Sequence, residues 1–97
     1  TSTGATVTGN LAFGDNGKAS FGASGDLQIF HNGSNSLIND LGTGGVIIAA
    51  SKTNIMNAAA GENMAVFNDN GAVELYYDGT KMLSTESRGA ILLHKYF

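Results

Sequence analysis

The chain has 97 residues; Leu, Ile, Val and Phe account for 23 of them and Gly, Asn, Ser and Thr for 40, which leaves room for one small domain or a few modules rich in turns and polar strand surface. Five basic residues against eight acidic ones give a net charge of −3, which argues against nucleic acid and anionic membrane surfaces, since both are bound through cations that neutralise phosphate. No Cys is present, so disulfides and thiolate metal sites are excluded, and the longest apolar run, Val46–Ala50, is far too short to span a bilayer.

In chain order, residues 1–10 read as the end of a preceding repeat, because Ser2-Thr3-Gly4 followed by Ala5-Thr6-Val7 is echoed by Ser87-Arg88-Gly89 followed by Ala90-Ile91-Leu92. With Thr1 in first place, this predicts a piece of a longer repetitive protein. Residues 11–40 read as a first β-meander with strands at Lys18–Gly22, Asp26–His31 and Ser34–Ile38. Residues 41–62 connect: Gly42-Thr43-Gly44-Gly45 predicts a loop, Val46–Ala50 a buried strand, Thr53–Asn57 a short strand, and Asn57–Asn63 a strand-to-loop passage whose alanines are stopped from forming a helix by Asn and Gly. Residues 63–88 read as a second meander with strands at Met64–Asn68, Ala72–Tyr77 and Thr80–Thr85. Residues 89–97 form an apolar end carrying Leu92, Leu93, Tyr96 and Phe97, an end that should pack against another subunit or module. Four dipeptides, Asn16-Gly17, Asn32-Gly33, Asn70-Gly71 and Asp78-Gly79, predict two-residue hairpins, since type I′ turns need positive φ twice.

The two meanders are versions of one another. A shift of 46 positions pairs Phe21 with Phe67, Gly25 with Gly71, Leu27 with Val73, Ile29 with Leu75, Phe30 with Tyr76, Gly33 with Gly79 and Leu37 with Leu83. Side chains alternate across a strand, so Val73, Leu75 and Tyr77 share one face, as do Leu27, Ile29 and His31; Glu74 and Tyr76, like Gln28 and Phe30, share the other. One apolar face and one mixed polar and aromatic face mark half-buried antiparallel sheet. Repetition of so small a unit points to a modular architecture that holds, spaces or presents something.

The stretches DLQIFHNGSNSLIND (Asp26–Asp40), GENMAVFNDNGAVELYYDGTKMLST (Gly61–Thr85) and STGATVTG (Ser2–Gly9) resemble a repeat of tail fibres and related virion structural proteins of tailed bacteriophages, especially marine ones. The resemblance covers roughly Thr1–Ala90; Ile91–Phe97 is more apolar than the usual continuation. It implies an all-β, homotrimeric, intertwined fibre made of short-stranded meanders, part of a virion appendage or otherwise extracellular, that spaces or presents a receptor-binding region. Its implied partners are copies of itself, other virion tail proteins and a host cell-surface glycan. Two other readings stand beside it: a glycan-binding adhesin tip and a subunit of a self-assembling extracellular filament.

The residues argue for no catalysis. Asp69 and Asp78 border one strand, yet each adjoins a Gly-containing turn, and Asp26 has Ala72 at its repeat position, so no acidic pair is duplicated. His31 and His94 form no nucleophile arrangement by spacing, and no G-x-S-x-G motif is present. His31 reads as an aromatic-sized filler; three copies meeting on an axis could bind a metal, but no second His or Cys lies near to complete a site within one chain. No cofactor is expected: the oxygen-rich stretches at Asp15 and Asn68 lack a calcium loop, and the glycines at 42–45 lack the Lys of a phosphate loop. Phe30 and Tyr76 suit sugar stacking or subunit packing. Asn32, Asn35 and Asp78 are placed for surface recognition, and His31, Tyr77, Leu92, Leu93, Tyr96 and Phe97 for packing between subunits.

Overall fold

A computed structural model describes residues 3–93, and over them the chain is all-β. Eight strands form two antiparallel sheets, and no helix occurs among the described residues. The chain divides between Ile47 and Ile48 into two units, each holding one sheet. Thr1, Ser2, His94, Tyr96 and Phe97, named above, lie outside the described residues.

The first unit holds β1 (Lys18–Phe21), β2 (Leu27–His31) and β3 (Ser36–Asp40) in the order β1-β2-β3. Its third strand starts two residues later than the sequence predicts, because Asn32-Gly33 is not a two-residue hairpin. The Asn32 side chain accepts the backbone N–H groups of Ser34 (2.9 Å) and Asn35 (2.7 Å), and the Asn32 N–H donates to the Asn35 carbonyl at 3.0 Å. This Asx-type loop takes four residues and pairs His31 with Ser36.

The second unit holds β4 (Lys52–Met56), β5 (Asn63–Asn68), β6 (Val73–Tyr77), β7 (Thr80–Glu86) and β8 (Gly89–Leu92), each paired with its neighbours in sequence. The β4–β5 connection is turned by Asn57, whose side-chain oxygen accepts the N–H groups of Gly61 (2.9 Å) and Glu62 (3.0 Å), so the alanines never enter a helix. Of the four Asn-Gly and Asp-Gly pairs, Asp78-Gly79 alone has both φ angles positive, at 50° and 77°, and it makes the expected tight hairpin from Tyr77 to Thr80. Asn16 and Asn70 reach positive φ, 65° and 55°, but the glycines after them do not; each Asn instead closes a turn in which the following Gly N–H donates three residues back, to Gly14 and Asn68. The strand β8, returning from β7 through Ser87-Arg88, falls where the sequence showed an apolar end and the echo of Gly4–Val7.

Val46–Ala50, expected as a buried strand, is neither paired nor buried: Val46, Ile47 and Ile48 are exposed, and the segment joins no sheet among the described residues. β-branched residues favour a pleated surface only where a neighbouring strand supplies one, and after β3 the chain turns elsewhere. Leu41 N–H still donates to Asp26 O at 2.7 Å, and the Asp40 carboxylate then accepts the Gly42 N–H at 3.2 Å, starting a bend through residues 42–44.

Candidate functional site

Register decides which side chains stand together. In the second unit, Ile55 lies opposite Ala65, Ala65 opposite Leu75, Leu75 opposite Leu83, and Leu83 opposite Leu92. Directly opposed residues share a face and touch, so one apolar row crosses all five strands. Thr53, Phe67 and Val73 make a second row beside it. In the first unit the corresponding face holds Ala19-Ile29-Ile38 and Phe21-Leu27-Asp40.

These apolar faces are the uncovered ones. Ile55, Leu75 and Leu92 are 47%, 44% and 52% exposed, and Phe21, Ile29, Ile38 and Phe67 are exposed as well. Among the described residues Val66 alone is a buried apolar side chain, at 3% exposure, and it belongs to the opposite, mixed face. The half-buried pattern of the sequence is therefore reversed within a single chain: the mixed face is the better covered.

The mixed face covers itself with long side chains. Val66 sits in the row Asn54-Val66-Glu74-Ser84-Ile91. Tyr76 donates its hydroxyl to Glu74 Oε1 at 3.0 Å, and the Lys81 ammonium pairs with Glu74 Oε2 at 2.7 Å. In the first unit the Lys18 ammonium stands 4.7 Å from the centre of the Phe30 ring, within cation–π range. The two aromatics shared by the repeat are thus each flanked by a lysine and half-buried; in the second unit the lysine comes from the strand after the aromatic, in the first from the strand before it.

The Glu74 cluster is electrostatically coupled. The hydrogen bond from Lys81, then that from Tyr76, holds the Glu74 carboxyl below the usual range, and the same contacts with Glu74 raise Tyr76 and Lys81. A lowered carboxyl pKa gives stability that is present above its unfolded value and lost as pH falls through the folded one; raised Tyr and Lys values give stability that is present below their unfolded values and lost as pH rises through the folded ones. We expect Lys81→Met to flatten the acid limb of a melting-temperature profile against pH, modestly because the pair is near solvent. An unchanged acid limb in that variant would remove the cluster from the account.

The remaining candidates fall in scattered places. His31 is exposed and shares a hydrogen bond of 3.0 Å between Nδ1 and Ser36 Oγ. It borders an open groove of about 510 Å³ whose walls include Phe13, Ile29 and Ile38. Asn32 and Asn35 are spent on the β2–β3 loop, and Asp78 on the β6–β7 hairpin, where it holds φ 50°. Tyr77 is 75% exposed beyond the apolar row, and Leu92 and Leu93 are exposed at the β8 edge, with Leu93 N–H donating to Met82 O at 2.7 Å. No group of three or more His, Asp or Glu side chains is placed to hold a metal ion among the described residues, and no helix among them is long and apolar enough to cross a membrane. The row across the second sheet was not predicted as a site, though its alternation was legible in Val73, Leu75 and Tyr77.

The amount of uncovered surface is large. A compact monomer of this mass exposes about 5,200 Å², and two separate compact halves about 6,300 Å²; the chain exposes 7938 Å². Stable folds place two layers around a core, and each sheet here is one layer. No protein-family model matches the chain, and no curated protein and no solved structure matches it.

Proposed function

We propose that the chain is a structural module of a bacteriophage tail fibre, assembled as a homotrimer, that spaces or presents the receptor-binding region. The observation that carries this reading is the apolar row Ile55-Ala65-Leu75-Leu83-Leu92, in which Ile55, Leu75 and Leu92 are exposed and Ala65 and Leu83 half-buried, in a single chain that has one buried apolar side chain among the described residues. A surface of that kind needs a second layer, and identical copies around an axis supply one without any other protein. The phage-like stretches support the same reading, since Asp26–Asp40 spans the β2–β3 hairpin and Gly61–Thr85 the strands β5 to β7. The work is mechanical: burial repeated from unit to unit, with no chemistry asked of any side chain.

The adhesin-tip reading has less to stand on at the residues first named for it. Phe30 and Tyr76 are half-buried and flanked by lysines, and Asn32 and Asp78 hold turns. Light scattering across a concentration series tests the assembly. We expect a mass three times the 9.9 kDa of one chain, independent of concentration once assembled. A stable monomer would overturn the proposal, and a mass that keeps growing would replace the closed trimer with an open filament.

A further inference from the structure

The segment Gly45-Val46-Ile47-Ile48 repeats the pattern of Gly89-Ala90-Ile91-Leu92, 44 positions later. In the second unit that pattern is the strand β8, laid antiparallel on β7 with Leu83 opposite Leu92, Ser84 opposite Ile91, Thr85 opposite Ala90 and Glu86 opposite Gly89. The first unit has the same edge and the same strand sequence but does not join them. The outer edge of β3 carries no strand among the described residues, and residues 43–50 make no backbone hydrogen bond with any of them. The connection accounts for the difference. Two residues separate Glu86 from Gly89, whereas four separate Asp40 from Gly45, and the bend at 42–44 carries Val46 and Ile47 over Leu27 and Ile38, leaving a cavity of about 160 Å³, rather than back along β3. Ile47 is left 88% exposed.

We infer that residues 45–48 of one copy of this chain form the fourth strand of the first sheet in a second copy, by pairing antiparallel with its β3 edge. The inference rests on the proposed self-assembly and names the contact that makes it. Unpaired backbone N–H and C=O groups on a sheet edge are a template for another strand, and an unpaired β-branched strand has matching needs. Of the four outer edges among the described residues, those of β1, β3, β4 and β8, the β3 edge is the one whose counterpart in the second unit, β7, carries a strand of this pattern, so identical copies supply one such strand for each such edge. Residues 41–51 carry no charged side chain, so copies meet there without like-charge repulsion. The contact is head-to-tail, which closes into a ring or runs on as a filament.

By the register of β7 with β8, Ile38 of one copy should face Ile47 of the next, and Leu37 should face Ile48. A chain without Cys makes this directly testable. Ile38→Cys and Ile47→Cys are prepared as separate variants, mixed in denaturant, refolded together and oxidised. The expected result is a disulfide-linked dimer on a non-reducing gel, absent when Tyr77→Cys replaces Ile38→Cys, because opposed strand positions bring Cβ atoms close to disulfide distance and others do not. The double variant in one chain should link between chains; a link within one chain would overturn the inference. As a check free of substitutions, hydrogen exchange on the assembled, unaltered chain should show the amides of residues 46–48 protected. Assembly with those amides unprotected would overturn the strand exchange and leave the trimer standing, whereas a monomer at every concentration would overturn both.

Discussion

Leu75→Asp is expected to abolish assembly and to take both the mass and the strand signal with it. Leu75 is the middle of the apolar row, between Ala65 and Leu83, and is 44% exposed in the single chain. If that face were simply solvated, the substitution would change stability by less than about 0.5 kcal/mol, as surface changes do. If three copies bury it, each copy loses about 1.5–3 kcal/mol of Leu burial. Each also leaves a carboxylate in an apolar interface without a partner, at about 3–5 kcal/mol. The penalty recurs in every copy of a symmetric assembly, so the variant should be monomeric at concentrations where the parent is assembled. One-layer sheets with a single buried apolar side chain cannot hold themselves together, so far-UV circular dichroism should lose its strand character in the same samples. The parent's melting temperature should rise with protein concentration, as mass action requires when folding and association are one event. A Leu75→Asp chain with parental mass and parental melting would put this face in water and end the proposal of a buried axis-facing row.

The strands were largely legible in the sequence, because alternation between Gly-bearing turns is a local signal. Val73-Glu74-Leu75-Tyr76-Tyr77 and Leu27-Gln28-Ile29-Phe30-His31 have the same period and form β6 and β2. What the sequence does not display is register. The four-residue Asn32 loop sets Ile29 opposite Ile38, while in the second unit a bulge around Met82 sets Leu75 opposite Leu83. The repeat mates Leu37 and Leu83 therefore stand on opposite faces of their sheets, although the sequences around them align. Asn-Gly was an unreliable guide to hairpin length for two reasons: the Asn32 side chain takes the N–H groups of Ser34 and Asn35, and at Asn16 and Asn70 the turn is closed by the following Gly N–H donating three residues back. The segment at Val46 shows a different limit. Its composition says strand, but a strand needs an edge, and which edge it meets depends on a connection two residues longer than its counterpart in the second unit.

Coverage is also invisible to alternation. A row such as Ile55-Ala65-Leu75-Leu83-Leu92 reads the same whether a second layer lies over it inside the chain or comes from another molecule. The lysines are a better indicator once register is known. Lys18 and Lys81 both stand on the mixed faces, against Phe30 and Glu74, and the rows Ile55-Ala65-Leu75-Leu83-Leu92 and Ala19-Ile29-Ile38 contain no charged side chain. Long polar side chains lying along a sheet cover apolar atoms while keeping their charges wet, and their absence from the other face leaves that face suited to identical partners. Asp40, opposite Leu27 at the end of β3, marks where the apolar face of the first sheet stops.

Val66→Asp is expected to be the most damaging single change within the second unit, and its reach measures how far the units depend on one another. Val66 is 3% exposed, with Asn54 on one side and Glu74 on the other. An aspartate there would place a carboxylate directly opposite Glu74, which destabilises a cross-strand pair. The neighbouring Asn54 amide has one of its two N–H donors committed to Asn63 Oδ1 at 2.9 Å, so at most one remains for a carboxylate. A buried, unpartnered charge costs about 3–5 kcal/mol, whereas Val66→Ala should cost about 1–2 kcal/mol for the methyl groups removed. Hydrogen exchange read strand by strand separates the outcomes. The apolar row on which assembly rests runs through β5 and β6, so the amides of β5 and β6 should lose protection in Val66→Asp, and those of β2 and β3 should lose theirs with the assembly. Protection kept at β2 and β3 would mean that the first sheet assembles on its own account, as modules held by nearest-neighbour terms can, and that the row of the second sheet is not what holds the copies together.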